Sequence, residues 1–399
     1  IILKNMDTTI NPKDDFYNYV NGNWMKNTKI PEDRTIWGGF SVLRKSTDSD
    51  VLEILAKAKN TGNYASNTDQ AKALFLFDSK LDVDTRNTEG ITPLQPALDA
   101  IAGIENLNDL QTVLMTVPNV SSPFIDFVSF ADLNDSSINA AYVTENGLGL
   151  GNRDYYLEMD IKSVEIRAKY VEYISKMLQF LGDDEISATA SAEKILAMET
   201  QLAIPRLDKV QSRDMRNYNN PKSISETQLL IPSLNIKKMM ADKKLKQNVD
   251  TLIATQPKFI STLNSFLTEH TIDDLKTLLR WDTFVSSASR LTEEIEVANW
   301  EFYSKYLRDA KKMRPANERA LSVVNNNVGE ALGQLYVDAK FPPEAKENAE
   351  EMIANVIASY QVRIQLLDWM SDETKTKAIE KLDKFTVKIG YPDIWEDYS

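Results

Sequence analysis

The sequence predicts a mainly α-helical fold carrying one inserted β-hairpin, on three observations. Apolar residues recur at three- and four-residue spacing through most of the chain, the pattern of helices with one buried stripe. A single stretch, Phe124 to Val143, alternates at period two around turn chemistry. No period of about 34 or 40 residues repeats, which argues against a solenoid. With 399 residues the chain can hold two domains, because single cores stop growing near roughly 250 to 300 residues.

Taken in order, Asp14 to Arg44 reads as an irregular, aromatic-rich arm. Phe16, Tyr17, Tyr19, Trp24, Trp37 and Phe40 fall within it, and so many rings predict that the arm lies against a large apolar surface. Helical spacing follows from Val42 to Ala58, and another helix begins at Asp69. In the hairpin, Phe124, Asp126, Val128 and Phe130 share one face while Ile125 and Phe127 share the other, which predicts burial on both. Asn134-Asp135-Ser136-Ser137 supplies its turn. Gly147 to Gly151 lacks the spacing of a phosphate-binding loop and reads as an ordinary loop. Helices are predicted from Lys162 to Leu181, closed by Gly182, and from Asp183 to Leu202, ended by Pro205. A short helix from Ser223 to Leu230 and a short strand from Val249 to Ala254 precede helices over Pro257 to Leu267 and Ile272 to Leu291, the latter extended to Leu307.

Phe341-Pro342-Pro343 stops what precedes it, since proline fits a first helical turn and little else in a helix. The stripe Met352, Ile353, Val356, Ile357, Tyr360 and Ile364 then predicts a long helix from Glu344 to Trp369. Ser371 is placed to cap a second one ending near Lys384. Phe385, Val387 and Ile389 alternate with Thr386 and Lys388 and predict a strand, broken by Gly390-Tyr391-Pro392. A strand met so near the last residue is expected to belong to a further domain.

Composition limits the chemistry. A net charge of −13 argues against a phosphate-binding surface, and so against nucleic acid as a partner. No apolar run approaches the roughly 18 residues of a membrane span. With no cysteine there is no disulfide, thiolate metal site or cysteine nucleophile, and with one histidine, His270, no paired-histidine zinc site can be assembled. His270 reads as a solvated residue between two helices. Glu293, Glu294 and Glu296 could offer paired carboxylates, but their helical spacing reads as a solvated face. Nucleophile-elbow and Walker motifs are missing.

Five strings nevertheless carry a family likeness. Asp15-Phe16-Tyr17-Asn18-Tyr19-Val20-Asn21-Gly22-Asn23-Trp24, Gly147-Leu148-Gly149-Leu150 with Arg153-Asp154-Tyr155-Tyr156-Leu157, Gly329 to Val337, Asp368-Trp369-Met370 and Ile389-Gly390-Tyr391-Pro392 resemble, in order, the neprilysin and endothelin-converting enzyme family of zinc metallopeptidases. The lack of cysteine is similar to its bacterial members. The resemblance implies an arm (1–44), a large helical cap domain (45–344) and a return segment (345–399). Arm and return segment would belong to a thermolysin-like α+β catalytic domain whose zinc motif is not in these 399 residues. It also implies a zinc metalloendopeptidase with one zinc ion, oligopeptide substrates limited in size by the cap, a C-terminal catalytic portion of the same protein as partner, and an extracytoplasmic location. This chain by itself would be inactive. The resemblance places Phe40 in the wall of the S1′ pocket and Arg44 near the substrate carboxylate, while Ile36 and Ser41 depart from the arginine and aspartate of mammalian members. The alternative from another class is a catalytically empty peptide-binding or scaffold protein. An unrelated helical solute-binding protein would leave the hairpin and the aromatic arm without a role.

Overall fold

A computed structural model describes residues 2–62, 64–245 and 249–399. The chain forms two compact units, residues 1–82 with 310–399, and residues 83–309. Those borders lie inward of the arm, cap and return boundaries that the resemblance implies.

The first unit opens with an element the sequence reading missed, α1 (Phe16–Asn27) within the aromatic arm. Asp15 accepts from the Asn18 amide at 2.9 Å, an N-cap strong enough to start a helix through the poor formers Asn21-Gly22-Asn23. Gly22 is required there, because a Cβ would lie 2.8 Å from that of Asp7, which is buried against the helix. The predicted burial of the arm's rings holds only in part. Phe16, Tyr17 and Phe40 are exposed, and Tyr19, Trp24 and Trp37 are half-buried. Two longer helices follow, α2 (Gly39–Thr61), closed by Gly62 at φ +62°, and α3 (Asp69–Leu81), capped by Thr68.

The second unit begins with α4 (Val83–Glu89), α5 (Gln95–Ala102) and α6 (Leu107–Thr116). Strands β1 (Ile125–Ala131) and β2 (Asn139–Glu145) pair antiparallel with Phe127 opposite Val143, as the alternation predicts. Burial on both faces is not found. Ile125 and Phe127 are buried, but Val128 and Phe130 are exposed, so the hairpin is covered only over its inner half. Nor does it stand alone. After α7 (Asp154–Leu157), α8 (Ile161–Gln179) and α9 (Glu185–Ala203) come β3 (Pro221–Ser223), α10 (Ile224–Leu230), α11 (Ile236–Asp242) and β4 (Thr251–Ala254), and the strands join in the order β1-β2-β4-β3. Strand β4 runs parallel to β2 and antiparallel to β3. Strand β4 is the short strand expected at Val249 to Ala254, whereas the three-residue β3 is too short to show a period, so the four-stranded sheet as a whole was not legible.

Helices α12 (Pro257–Glu269), α13 (Ile272–Ser287) and α14 (Glu293–Trp300) complete the unit. The predicted run from Ile272 to Leu307 is broken at Leu291, which is extended (ψ −151°), after which Thr292 caps α14 and a π-helical turn spans Glu301–Tyr306. The core is closed by Trp281, Tyr170, Phe124, Phe259 and Phe284, all fully buried. Tyr173 and Phe302 stack at 4.6 Å with their rings nearly parallel.

The chain then returns to the first unit through α15 (Ala316–Lys340), kinked at Val328 before Gly329. Its residues Leu321, Val324, Ala331, Leu332 and Leu335 pack with Val51, Leu55 and Ala58 of α2 and Ala73 of α3 into that unit's core. The predicted long helix is α16 (Pro343–Gln365), and Ser371 caps α17 (Asp372–Asp383) by accepting from the Thr374 amide. The strand predicted at Phe385 to Ile389 does not form. With no neighbouring strand to bond to among the described residues, these residues are irregular, and the following segment is held by side chains instead. Gly390, at φ +70°, lets the Phe341 ring approach so closely that a Cβ would sit 2.6 Å from it. Tyr391 stacks on Trp395, and the Lys346 ammonium lies 4.5 Å over the Tyr391 ring.

Candidate functional site

The predicted substrate-side residues lie together on α2. Phe40 and Arg44 are four residues apart, hence on one face, and both are exposed, the Phe40 ring at 90%. Ile36, just before the helix, and Leu43 within it are exposed as well. Arg44 has a loose partner in Asp48, with Nε 3.9 Å from Oδ2, which leaves most of the guanidinium fork open. An uncovered aromatic ring one turn from a guanidinium can seat an apolar side chain and pair with a carboxylate.

Other sequence candidates have structural partners. His270 ends α12, where its Nε2 lies 2.9 Å from Gln201 Oε1 and its ring packs 4.4 Å from that of Phe266. In α14, Glu293 and Glu294 are exposed, whereas Glu296 turns inward and accepts from Arg86 Nη2 at 2.9 Å, both side chains being about nine-tenths buried. The three carboxylates therefore do not converge as an acid–base pair. In the Gly147 to Gly151 loop, a Cβ on Gly149 would lie 1.8 Å from the Tyr170 hydroxyl, so glycine serves close packing there.

Sequence reasoning missed two carboxyl groups in the second unit, one fully buried and one half-buried. Glu199 of α9 is fully buried and accepts from Tyr156 at 2.8 Å and Tyr170 at 3.2 Å. Burial pushes its carboxyl up to about 7 against the pull of the Tyr156 hydroxyl. Asp282 of α13 is pushed up to about 6, also by burial, although Ser121 donates to it. A signal for Glu199 was present, since it sits within the apolar stripe Ile195, Met198 and Leu202 where a solvated glutamate would not. Asp282 follows the core residue Trp281, and nothing local marks it.

A zinc ion finds no fitting donor set. Among the described residues no three His, Cys, Asp or Glu side chains are grouped to hold a metal, and the imidazole is occupied as described. No step of metal-assisted hydrolysis is therefore assigned to these residues.

This helical build and these packed motif strings are those of a metallopeptidase lineage. The structure matches that of the Mycobacterium tuberculosis zinc metalloprotease Zmp1 in complex with inhibitor at a TM-score of 0.91 and 29% identity, over 100% of this chain and 60% of that one. PepO of Lactobacillus rhamnosis matches at 0.85 and 22% identity over 96% of this chain and 60% of its own, a likeness of fold. Among curated proteins, endothelin-converting enzyme 1 of Rattus norvegicus is 26% identical over 99% of this chain and 53% of its own length. Neprilysin-3 of Drosophila melanogaster is 26% identical over 98% of this chain and 52% of its length. The chain belongs to Peptidase family M13, whose family model matches residues 12–392. It spans about half the length of the curated relatives it matches.

Proposed function

We propose that this chain is the arm (1–44), helical cap (45–344) and return segment (345–399) of a bacterial, extracytoplasmic zinc metalloendopeptidase that hydrolyses oligopeptides. The observation that carries the reading is the family match over residues 12–392 together with coverage of only 53% of endothelin-converting enzyme 1. The remaining length of such a relative leaves room for a catalytic domain that would supply the zinc site. In this reading the cap limits substrate size, Phe40 forms part of the S1′ wall, and Arg44 pairs with the substrate's terminal carboxylate. A peptidase of this kind needs no nucleic acid, and no helix of the described residues is long and apolar enough to cross a membrane.

Intact mass and zinc content of the protein purified from its native source test the proposal. The expected result is a mass well above 45.2 kDa, by an amount on the order of a further domain, with about one zinc per chain. A species of 45.2 kDa without zinc or peptidase activity would overturn it in favour of a catalytically empty peptide-binding protein.

A further inference from the structure

The second unit contains a cavity of about 650 Å³ between the end of α6, the start of β1, the Gly147 to Gly149 loop and the helices α13 and α14. Its lining includes the apolar side chains of Met115, Ile125, Leu148 and Val285. Opposite in character are Ser121, Asp282, Ser286 and Asn299. The Ser121 hydroxyl donates to Asp282 Oδ2, while Oδ1 has no donor among the described residues. Asn299 already accepts from the Tyr173 hydroxyl through Oδ1 at 2.8 Å, which leaves its amide N–H groups for the cavity.

Charges around this space do not balance. Lys243 lines it, but its ammonium is taken by Asp126 at 2.9 Å. Arg206, half-buried in the same unit, donates to the carbonyls of Leu202, Asn146 and Pro123. Asp282 therefore has no ion-pair partner among the described residues, and the second buried carboxyl, Glu199, adds to the negative field. An ionised carboxylate in such surroundings is costly unless a cation joins it. A pocket that exposes apolar side chains beside polar ones has room for a cation that brings its own apolar body.

We propose that this cavity binds a primary ammonium group carried on a short apolar chain, with the ammonium paired to Asp282 and the chain against Met115, Ile125 and Val285. The inference does not depend on the peptidase reading. Two sources offer this chemistry, the free N-terminus of a peptide with an apolar first residue, and a free alkylamine.

Calorimetric titration of the whole chain with L-leucinamide, isopentylamine and N-acetyl-L-leucinamide tests it. At least one of the two amines is expected to bind saturably at one site, and the acetylated compound is expected not to bind. Binding by leucinamide alone assigns the site to a peptide N-terminus, and binding by isopentylamine alone to a free amine. Asp282→Asn keeps the shape and the Ser121 contact and should weaken binding roughly tenfold or more, the value of a charge-assisted bond. Because that variant changes a buried group, Ser286→Trp, at an exposed position lining the cavity, serves as a second probe and should abolish binding by filling the space. No saturable binding of either amine, or equal binding to the acetylated compound or to Asp282→Asn, would overturn the proposal.

Discussion

The two units spend their apolar residues differently. In the second, the aromatic side chains close on one another, with Trp281, Tyr170, Phe259 and Phe284 fully buried, and even carboxyl groups are carried inside. In the first, a small core joins α2, α3 and α15, while Phe16, Tyr17, Phe40, Met352 and Tyr360 are left more than half exposed. Helix α16, the most regular stripe in the sequence, buries no residue. Periodicity therefore reports that a helix has an apolar face and says nothing of whether this chain covers it. The same contrast separates the two kinds of candidate site, an uncovered face on α2 and a polar pocket in the second unit.

The contrast can be broken most forcefully inside the second unit. Glu296→Ala removes the buried carboxylate that accepts from the Arg86 guanidinium and should cost about 3–5 kcal/mol in urea unfolding. Phe40→Ala on the exposed face of α2 should stay within about 0.5 kcal/mol of the parent. A cost near zero for Glu296→Ala would show that this interior relaxes freely. Gly149→Ala comes next, since its Cβ would meet the Tyr170 hydroxyl at 1.8 Å, and overpacking of this kind costs about 1–3 kcal/mol.

Two carboxyls of the second unit and one of the first respond to pH with opposite sign. Glu199 and Asp282 hold their protons more tightly folded than unfolded, so the stability they contribute is complete below the ordinary carboxyl range. It falls as pH rises through about 6 and 7. Asp7 in the first unit, held down to about 2 chiefly by its bond from Lys26, acts oppositely. Its contribution is present at neutral pH and is lost as pH falls below its ordinary value of 3.8. Unfolding measured between pH 5 and 8 should show stability decreasing with pH, and Glu199→Gln should flatten that slope. An unchanged slope would remove Glu199 as its source. The smallest effect is on association. The exposed rings and α16 stripe should make the chain bind an apolar dye and self-associate, and Met352→Ser combined with Tyr360→Ser should reduce both. Monodisperse monomers without dye binding would contradict the exposure.

Much of the helical framework was legible because its signals are local. Asp69, Pro257, Ile272 and Pro343 open helices where spacing places them, Ser371 caps as expected, and Ser223, expected as the first residue of a short helix, caps it instead. Phe40 and Arg44 were singled out by the family likeness alone, which is all that carries their proposed role, while their shared face follows from helical geometry. What failed was long-range. Residues Phe385 to Ile389 have the alternation of a strand but no neighbouring strand to bond to among the described residues, and Pro221 to Ser223 form one without any alternation because β4 lies beside them.

The sequence by itself determined the helical class, most of the longer helices and the family, all of which rest on periods, caps and rare strings read along the chain. Tertiary structure alone decided which carboxyls are buried, which apolar faces are covered and where a polar cavity opens. Glu199 and Asp282 are ordinary acids in the sequence. Only the segments folded around them, brought from far along the chain, remove their water and change what they can do.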